Sequence, residues 1–245
     1  GRTAASIVAD VTDESQIRSL FTQIDSMDGV LSFDGYNAGN AFSGDTLSMT
    51  AEYFEQAWRV CCLGGFLTAR EAGNRLAELG AGTILFTGAT ASIRARPPFL
   101  AFASAKAGLR AVAATFAREL GPRGVHVAHA IIDGGIEGER LLSKNPALKD
   151  RMGEHGMLHP DAIAESYWQL HLQHPSAWSF EIDLRPFKET FRVELSAQPN
   201  QGAAFDALPC AGLVTVCRDV ERRVWGYADD PVISAVESVE HDRVG

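Results

Sequence analysis

The segment from Pro98 to Leu120, PFLAFASAKAGLRAVAATFAREL, constrains the fold more than any other stretch of the chain. Phe102, Leu109, Val112, Phe116 and Leu120 recur at helical intervals. The positions between them are mostly Ala, the strongest helix former, so the spacing predicts one long helix. Arg118 and Glu119, followed by Gly121-Pro122, close it with charges and then a stop. Phe102 and Lys106 stand four residues apart and share a face. ILFTGATAS lies directly before the helix and GVHVAHAIIDGGIEG directly after it. The order is therefore strand, loop, long helix, strand and Gly-rich loop, the alternation of an α/β fold.

With 245 residues, 46% hydrophobic and 22% charged, the chain can bury one sizeable core, with room for a small appendix. No apolar run approaches the roughly 18 to 20 residues that a membrane helix needs. No basic segment followed by an apolar one opens the chain, so no secretory leader is expected. A formal charge of −9 argues against nucleic acid as a partner, because neutralising phosphates takes clustered Lys and Arg. Cys61 and Cys62 are adjacent in a helical stretch, where side chains diverge by about 100°. Cys210 and Cys217 are separated by a short gap, and nothing brings His155, His159, His171 and His174 together. No metal site and no disulfide framework are therefore expected, and a reduced, cytoplasmic protein follows.

In chain order, Ala5 to Ala9 is a short apolar run predicted as a buried parallel strand ending at Asp10. Thr12 or Asp13 then caps the helix ESQIRSLFTQIDSM, with Ile17, Leu20, Phe21 and Ile24 as its stripe. GVLSFDGYNAG is a second strand running into Asn37-Ala38-Gly39, where small residues allow close backbone approach. Residues 51 to 79 are predicted as a long helix with Phe54, Trp58, Cys61 or Cys62, Phe66 and Ala69 on its apolar face. Gly64-Gly65 in its middle costs about 1 kcal/mol per residue relative to Ala, which signals close packing against a neighbour. Residues 82 to 88 form another strand, as does GVHVAHAIID, with Val125, Val127, Ala130 and Ile132 as core. Residues 139 to 160 suit a mobile substrate lid. A helix from Pro160-Asp161 through Gln173 and a strand at AWSFEIDL complete this part.

Asp10-Val11, Asn37-Ala38-Gly39, the Phe102/Lys106 face, Asp133-Gly134-Gly135-Ile136 and SAWSFEIDLRPF together resemble the short-chain dehydrogenase/reductase family, over residues 1 to 190. The resemblance implies a Rossmann-like doubly wound parallel sheet and a hydride transfer between a nicotinamide, NAD or NADP, and a small carbonyl or alcohol substrate. By family position, Asp10 and Val11 lie beside the adenine, although Asp10 also reads as a strand-end turn residue. Asn37, Ala38, Gly39, Thr87, Lys106, Asp133, Gly134 and Ile136 would meet the rest of the cofactor. Gly138 stands where the family places a Thr that reaches the pyrophosphate.

Three of the four catalytic positions are substituted: Phe102 for the Tyr, Ala89 for the Ser and Cys61 for the Asn, leaving Lys106. A benzene ring cannot transfer a proton, so an active protein would take it from water, Thr90, Ser92 or Tyr36. The alternative is a catalytically inactive member serving as a binding or oligomerisation module. Homo-oligomerisation through helices 51–79 and 98–120 is a further implication of the family. An unrelated α/β module would instead leave Asp10, Asn37, Lys106 and Ile136 unclustered.

The two ends depart from the family. Its chains begin about fifty residues earlier, with a strand, a Gly-rich turn and a helix that holds the pyrophosphate. No such Gly cluster precedes the first strand here. That missing strand would be the middle of the sheet. Residues 191 to 245 form an extension of uncertain structure, in which FRVELS, AGLVTVC and RRVWGY suit short strands and PVISAVESVEH a short helix. Strands of this extension pairing with the bared sheet edges is one expectation, because open edges seek partners.

Overall fold

The computed structural model describes residues 4–189, 214–218 and 233–236. The elements run β1 (Ala4–Ile7), α1 (Glu14–Asp25), β2 (Leu31–Tyr36), α2 (Ala51–Trp58), α3 (Gly64–Leu79), β3 (Thr83–Thr87), α4 (Leu100–Leu120) and β4 (His126–Ile132). Then follow α5 (Glu139–Lys144), α6 (Leu148–Met152), α7 (Pro160–His171), β5 (Glu181–Leu184), β6 (Val214–Arg218) and β7 (Ile233–Val236). The strands form one sheet in the order β1-β7-β6-β2-β3-β4-β5. β2 through β5 are mutually parallel, joined by helical crossovers, which is the Rossmann-like α/β arrangement.

Two hydrophobic layers hold the helices to the sheet. On one face Ile17, Leu20 and Phe21 of α1, Leu76 of α3 and Leu109 of α4 pack with Tyr36, Ile84 and Phe86. On the other, Ile163, Tyr167 and Leu170 of α7 pack with Phe33, Leu85 and Ala130. Strands covered on both sides are buried at every position, as β3 and β4 are. Asp13 is the cap of α1, its carboxylate accepting from the Ser15 and Gln16 amides.

Between α2 and α3 the helix passes through a π turn, Arg59–Leu63. One extra residue shifts the phase of everything before it by about 100°. The apolar face expected over residues 51 to 79 is corrected accordingly: Phe54 and Trp58 are 36% and 40% exposed, and Ala57 is the buried residue of α2. The π turn also lowers the Val60 carbonyl onto β2, where the buried Tyr36 hydroxyl donates to it. Gly64 and Gly65 sit directly over this contact. A Cβ on Gly64 would lie 2.3 Å from Tyr36 Oη and 3.0 Å from the Val11 carbonyl oxygen; one on Gly65 would lie 2.4 Å from Leu109 Cδ1.

The extension contributes to the sheet. β6 pairs antiparallel with β2, β7 pairs parallel with β6, and β7 pairs antiparallel with β1. These two strands thus stand between β1 and β2. AGLVTVC overlaps β6 as expected, whereas PVISAVESVEH, expected as a short helix, contains β7 instead. Its alternating Ile233-Ser234-Ala235-Val236 satisfies two ladders at once, which a helix in that slot would leave open. FRVELS, RRVWGY and Cys210 lie outside the described residues. Residues 139 to 160, the segment expected to suit a substrate lid, carry the short helices α5 and α6.

Asp34 of β2 is fully buried, and neither carboxylate oxygen has a hydrogen-bond partner among the described residues. Desolvation pushes its pKa up to about 8, so the folded chain holds it as the neutral acid.

Two predictions follow from this packing. Gly64→Ala adds helix propensity yet lowers stability by about 1–3 kcal/mol, because the methyl group meets a backbone oxygen and a bonded hydroxyl; urea denaturation measures the sign. Asp34 ionises near pH 4 unfolded and near pH 8 folded, so the folded chain holds an extra proton in that window. Stability therefore falls as pH rises from about 4 to about 8, by at most about 5 kcal/mol, and Asp34→Asn flattens the slope in urea midpoints taken across that range.

Candidate functional site

At the C-terminal ends of β2, β3 and β4 the loops enclose a cleft of about 690 Å³. This is where parallel α/β sheets bind ligands, because neighbouring crossovers part there. Asn37, Gly39 and Asn40 follow β2, Thr87 to Ala91 follow β3, and Asp133 to Ile136 follow β4; Phe99, Phe102 and Lys106 project from the start of α4.

Lys106 is the deepest charge. It is 4% exposed, and its Nζ donates to the Thr87 carbonyl at 2.7 Å. Burial holds its pKa below the usual lysine range, with the neighbouring Cys61 and Cys62 pulling the other way. The ammonium lies 5.9 Å from the centre of the Phe102 ring, within cation–π range. A Cβ on Gly39 would sit 3.4 Å from Lys106 Nζ and 3.5 Å from Cys61 Sγ. The glycine thus brings bare backbone close to both groups, the close approach read from the Asn37-Ala38-Gly39 triplet.

The substituted positions are in place and chemically quiet. Phe102 and Ala89 line the cleft. The Ala89 amide donates to Ser92 Oγ at 3.1 Å, so that hydroxyl fastens the turn and is buried. Cys61 is buried in the π turn with its thiol 3.9 Å from the Asn40 carbonyl oxygen, a weak contact. Cys62 points the other way, toward Gly108, with its thiol pushed up to about 11 by burial. Tyr36, weighed as a proton source, is fully buried and committed to Val60. Thr90 does line the cleft, and its hydroxyl donates to Asp133 Oδ1. Asp133 Oδ2 lies 3.6 Å from Arg94 and 3.3 Å from Arg185.

Asn37, Gly39, Thr87, Ala89, Thr90, Phe102, Lys106, Asp133, Gly134 and Ile136 are therefore brought to one cleft, while Asp10, Val11, Ala38, Cys61 and Ser92 are not among its lining. Asp10 closes the turn into α1, its Oδ1 accepting from the Thr12 amide and hydroxyl. Val11 is buried against Gly64. His171 packs edge-on against Phe33 and bonds Thr83, and no group of three metal-binding side chains occurs among the described residues.

Several functional candidates escaped the sequence reading. Arg94, Arg96 and Lys144 line the cleft; the only signal for the first two is the basic pair in SIRARPP, on a loop without periodicity. His129 of β4 is fully buried, with Nδ1 3.0 Å from Glu181, which Arg110 grips through two bonds of 2.6 and 3.0 Å. Arg110 holds the Glu181 carboxyl below the usual range, so the carboxylate accepts and His129 Nδ1 donates. Desolvation pushes the imidazole down to about 4, leaving it neutral.

The nicotinamide end of a dinucleotide fits this cleft. Gly39 brings bare backbone beside Lys106, and Gly134, which also lines the cleft, holds a φ of 152° that favours glycine. Among the described residues, the strands beside β2 carry no matching device for the pyrophosphate end. β6 and β7 run opposite to β2, so a helix following either would point its N-terminus away from the cleft.

Comparison with known proteins agrees with this geometry. A family model described as enoyl-(acyl carrier protein) reductase matches residues 1–166. A short-chain dehydrogenase/reductase of Armillaria gallica is 30% identical over 128 residues, covering 52% of this chain and 49% of the relative. The 3-oxoacyl-[acyl-carrier-protein] reductase MabA of Mycobacterium avium is 27% identical over 133 residues, covering 54% of this chain and 52% of that one. The chain thus spans about half the length of the curated relatives it matches. The crystal structure of a short-chain dehydrogenase from Rhodopseudomonas palustris is 36% identical, with a TM-score of 0.60 over 73% of each chain. An alcohol dehydrogenase of Thermococcus sibiricus, solved in complex with 5-hydroxy-NADP, shares the fold with a TM-score of 0.65 at 22% identity, covering 75% of this chain and 74% of its own. A family match over two thirds of the sequence and a 36%-identical dehydrogenase of the same fold place the result beyond fold analogy: the chain belongs to the short-chain dehydrogenase/reductase family.

Proposed function

We propose that this protein is an oxidoreductase that works with NAD or NADP on a small carbonyl or alcohol substrate, with residues 1–190 as its catalytic domain and 191–245 as an extension, in a cytoplasmic setting. The observation that carries the reading is Lys106: a buried cation, tied to the Thr87 carbonyl, beneath the glycine-lined cleft. Leaving a buried ammonium in place costs several kcal/mol, and a purely structural residue at this point would be more stable without the charge. When bound, the nicotinamide supplies or accepts the hydride. Lys106 then holds hydroxyl groups of the ligand by hydrogen bonds and Coulomb attraction. Asn37 and the backbone of Gly39 and Gly134 orient it, and Phe102 with Ile136 excludes water from one wall. The proton that Phe102 cannot carry would come from solvent water entering the cleft, which Thr90 lines with its hydroxyl bonded to Asp133.

Phe102 itself supports the second reading, an inactive member that binds or assembles without chemistry. Phe54, Trp58 and Leu100, each more than a third exposed on α2 and α4, support a homo-oligomer under either reading. Among the described residues no helix is long and apolar enough to cross a membrane.

Fluorescence titration of NADH and NADPH into the purified chain tests the shared premise. Saturable binding that weakens about tenfold or more in Lys106→Ala is expected, and absence of binding by a folded chain would remove the enzyme reading. Phe102→Tyr returns an acid to the cleft and is expected to raise carbonyl reduction about 10²-fold or more. An unchanged rate in a variant that still binds the cofactor would favour the inactive module.

A further inference from the structure

The cleft is charged against the trend of the chain. Formal net charge is −9, yet the cleft lining holds four cations, Arg94, Arg96, Lys106 and Lys144, against two carboxylates, Asp133 and Glu189. One of those carboxylates is already neutralised: Asp133 accepts from Thr90 and lies near Arg94 and Arg185. Outside the cleft, Arg18, Arg59, Arg70, Arg75 and Arg110 each lie within 4.0 Å of a carboxylate, whereas Arg118, Arg123 and Arg151 have no such partner among the described residues. Arg96 and Lys144 have no such partner among the described residues, and both are exposed at the mouth.

The cations also have a definite place. Arg94 and Arg96 come from the segment between β3 and α4, the same segment that brings Phe99 and Phe102 to the wall. Lys144 closes α5, one turn beyond Leu141, in the segment that follows β4. The groups that would meet the nicotinamide end, Asn37, Gly39 and Gly134, come from other loops. An apolar wall thus leads from Lys106 outward to a cationic mouth.

We infer that the substrate is an anion: a carbonyl or alcohol compound with an apolar or aromatic body whose far end bears a carboxylate or phosphate, met by Arg96 and Lys144. The guanidinium fork can grip such a group through two bonds, and the lysine of the same cleft adds a point charge. The field of an unpaired cationic mouth on an acidic protein also draws the anion to this one opening. The word substrate rests on the oxidoreductase reading; the anion preference itself does not, because it is a property of the mouth alone.

Binding of 4-carboxybenzaldehyde and of benzaldehyde to the purified chain, followed by ligand-observed NMR without any nucleotide, tests the inference. The carboxylate is expected to bind about tenfold more tightly, and to lose that advantage as salt rises from 20 to about 500 mM, where screening shortens the reach of exposed charges. Arg96→Gln and Lys144→Gln, both at exposed positions, are each expected to weaken the carboxylate about three- to tenfold and leave benzaldehyde unchanged. ADP-ribose, which carries the cofactor's own phosphates, serves as the control and should be unaffected by either change. Equal binding of the two aldehydes, no binding of the carboxylate, or a loss confined to ADP-ribose in Arg96→Gln would overturn the inference.

Discussion

A lysine kept out of water organises this structure. Lys106 is almost fully buried, with the Thr87 carbonyl as its hydrogen-bond acceptor and the face of Phe102 beside it. Such a cation is tolerable only if the groups around it are polar, close and fixed. The surrounding elements meet that condition: β3 ends where its last carbonyl faces the ammonium, Gly39 brings backbone within contact, and α4 is long enough to anchor Lys106 while burying Leu109 and Ala113 in the core. The π turn serves the same end, because it lets Val60 accept from Tyr36 and brings Cys61 beside Gly39.

Where backbone periodicity or an energetic cost marks a residue, the sequence reveals its role. α4 was legible because apolar residues recur every three to four positions in an Ala-rich segment. Gly64-Gly65 was legible because two glycines inside a helix are unfavourable unless something presses on them, and Tyr36 and Leu109 do. The exposure of Phe54 and Trp58 was not, since a π turn alters hydrogen bonding without altering composition. Asp34 could have been suspected from a carboxylate inside an apolar strand, but its lack of partners among the described residues depends on the packing of two faces. Arg94, Arg96 and Lys144 carry no periodic signal at all; only the fold brings them to one mouth.

The middle of the sheet departs most from a doubly wound pattern. β6 and β7 occupy it in the reverse direction, closing the edges of β1 and β2, with a register shift between Leu31 and Phe33 in the β2–β6 ladder. Sheet completion and phosphate binding are thereby separated: strands satisfy the first in either direction, whereas a helix N-terminus serves the second only if its strand ends at the cleft. The proposed function stands on the cleft at the ends of β2, β3 and β4, with Lys106 at its base.

The most direct measurement is an NMR titration of the chain with selectively 13C-labelled lysine, following the ε-carbon resonances as NADPH is added. Of its four lysines only Lys106 is buried in the cleft. The account predicts that its resonance, already displaced by burial, shifts saturably with NADPH while those of Lys149 and Lys188 stay fixed. A Lys106 signal unmoved at saturating nucleotide would contradict the placement of the cofactor, and with it the reading of the cleft.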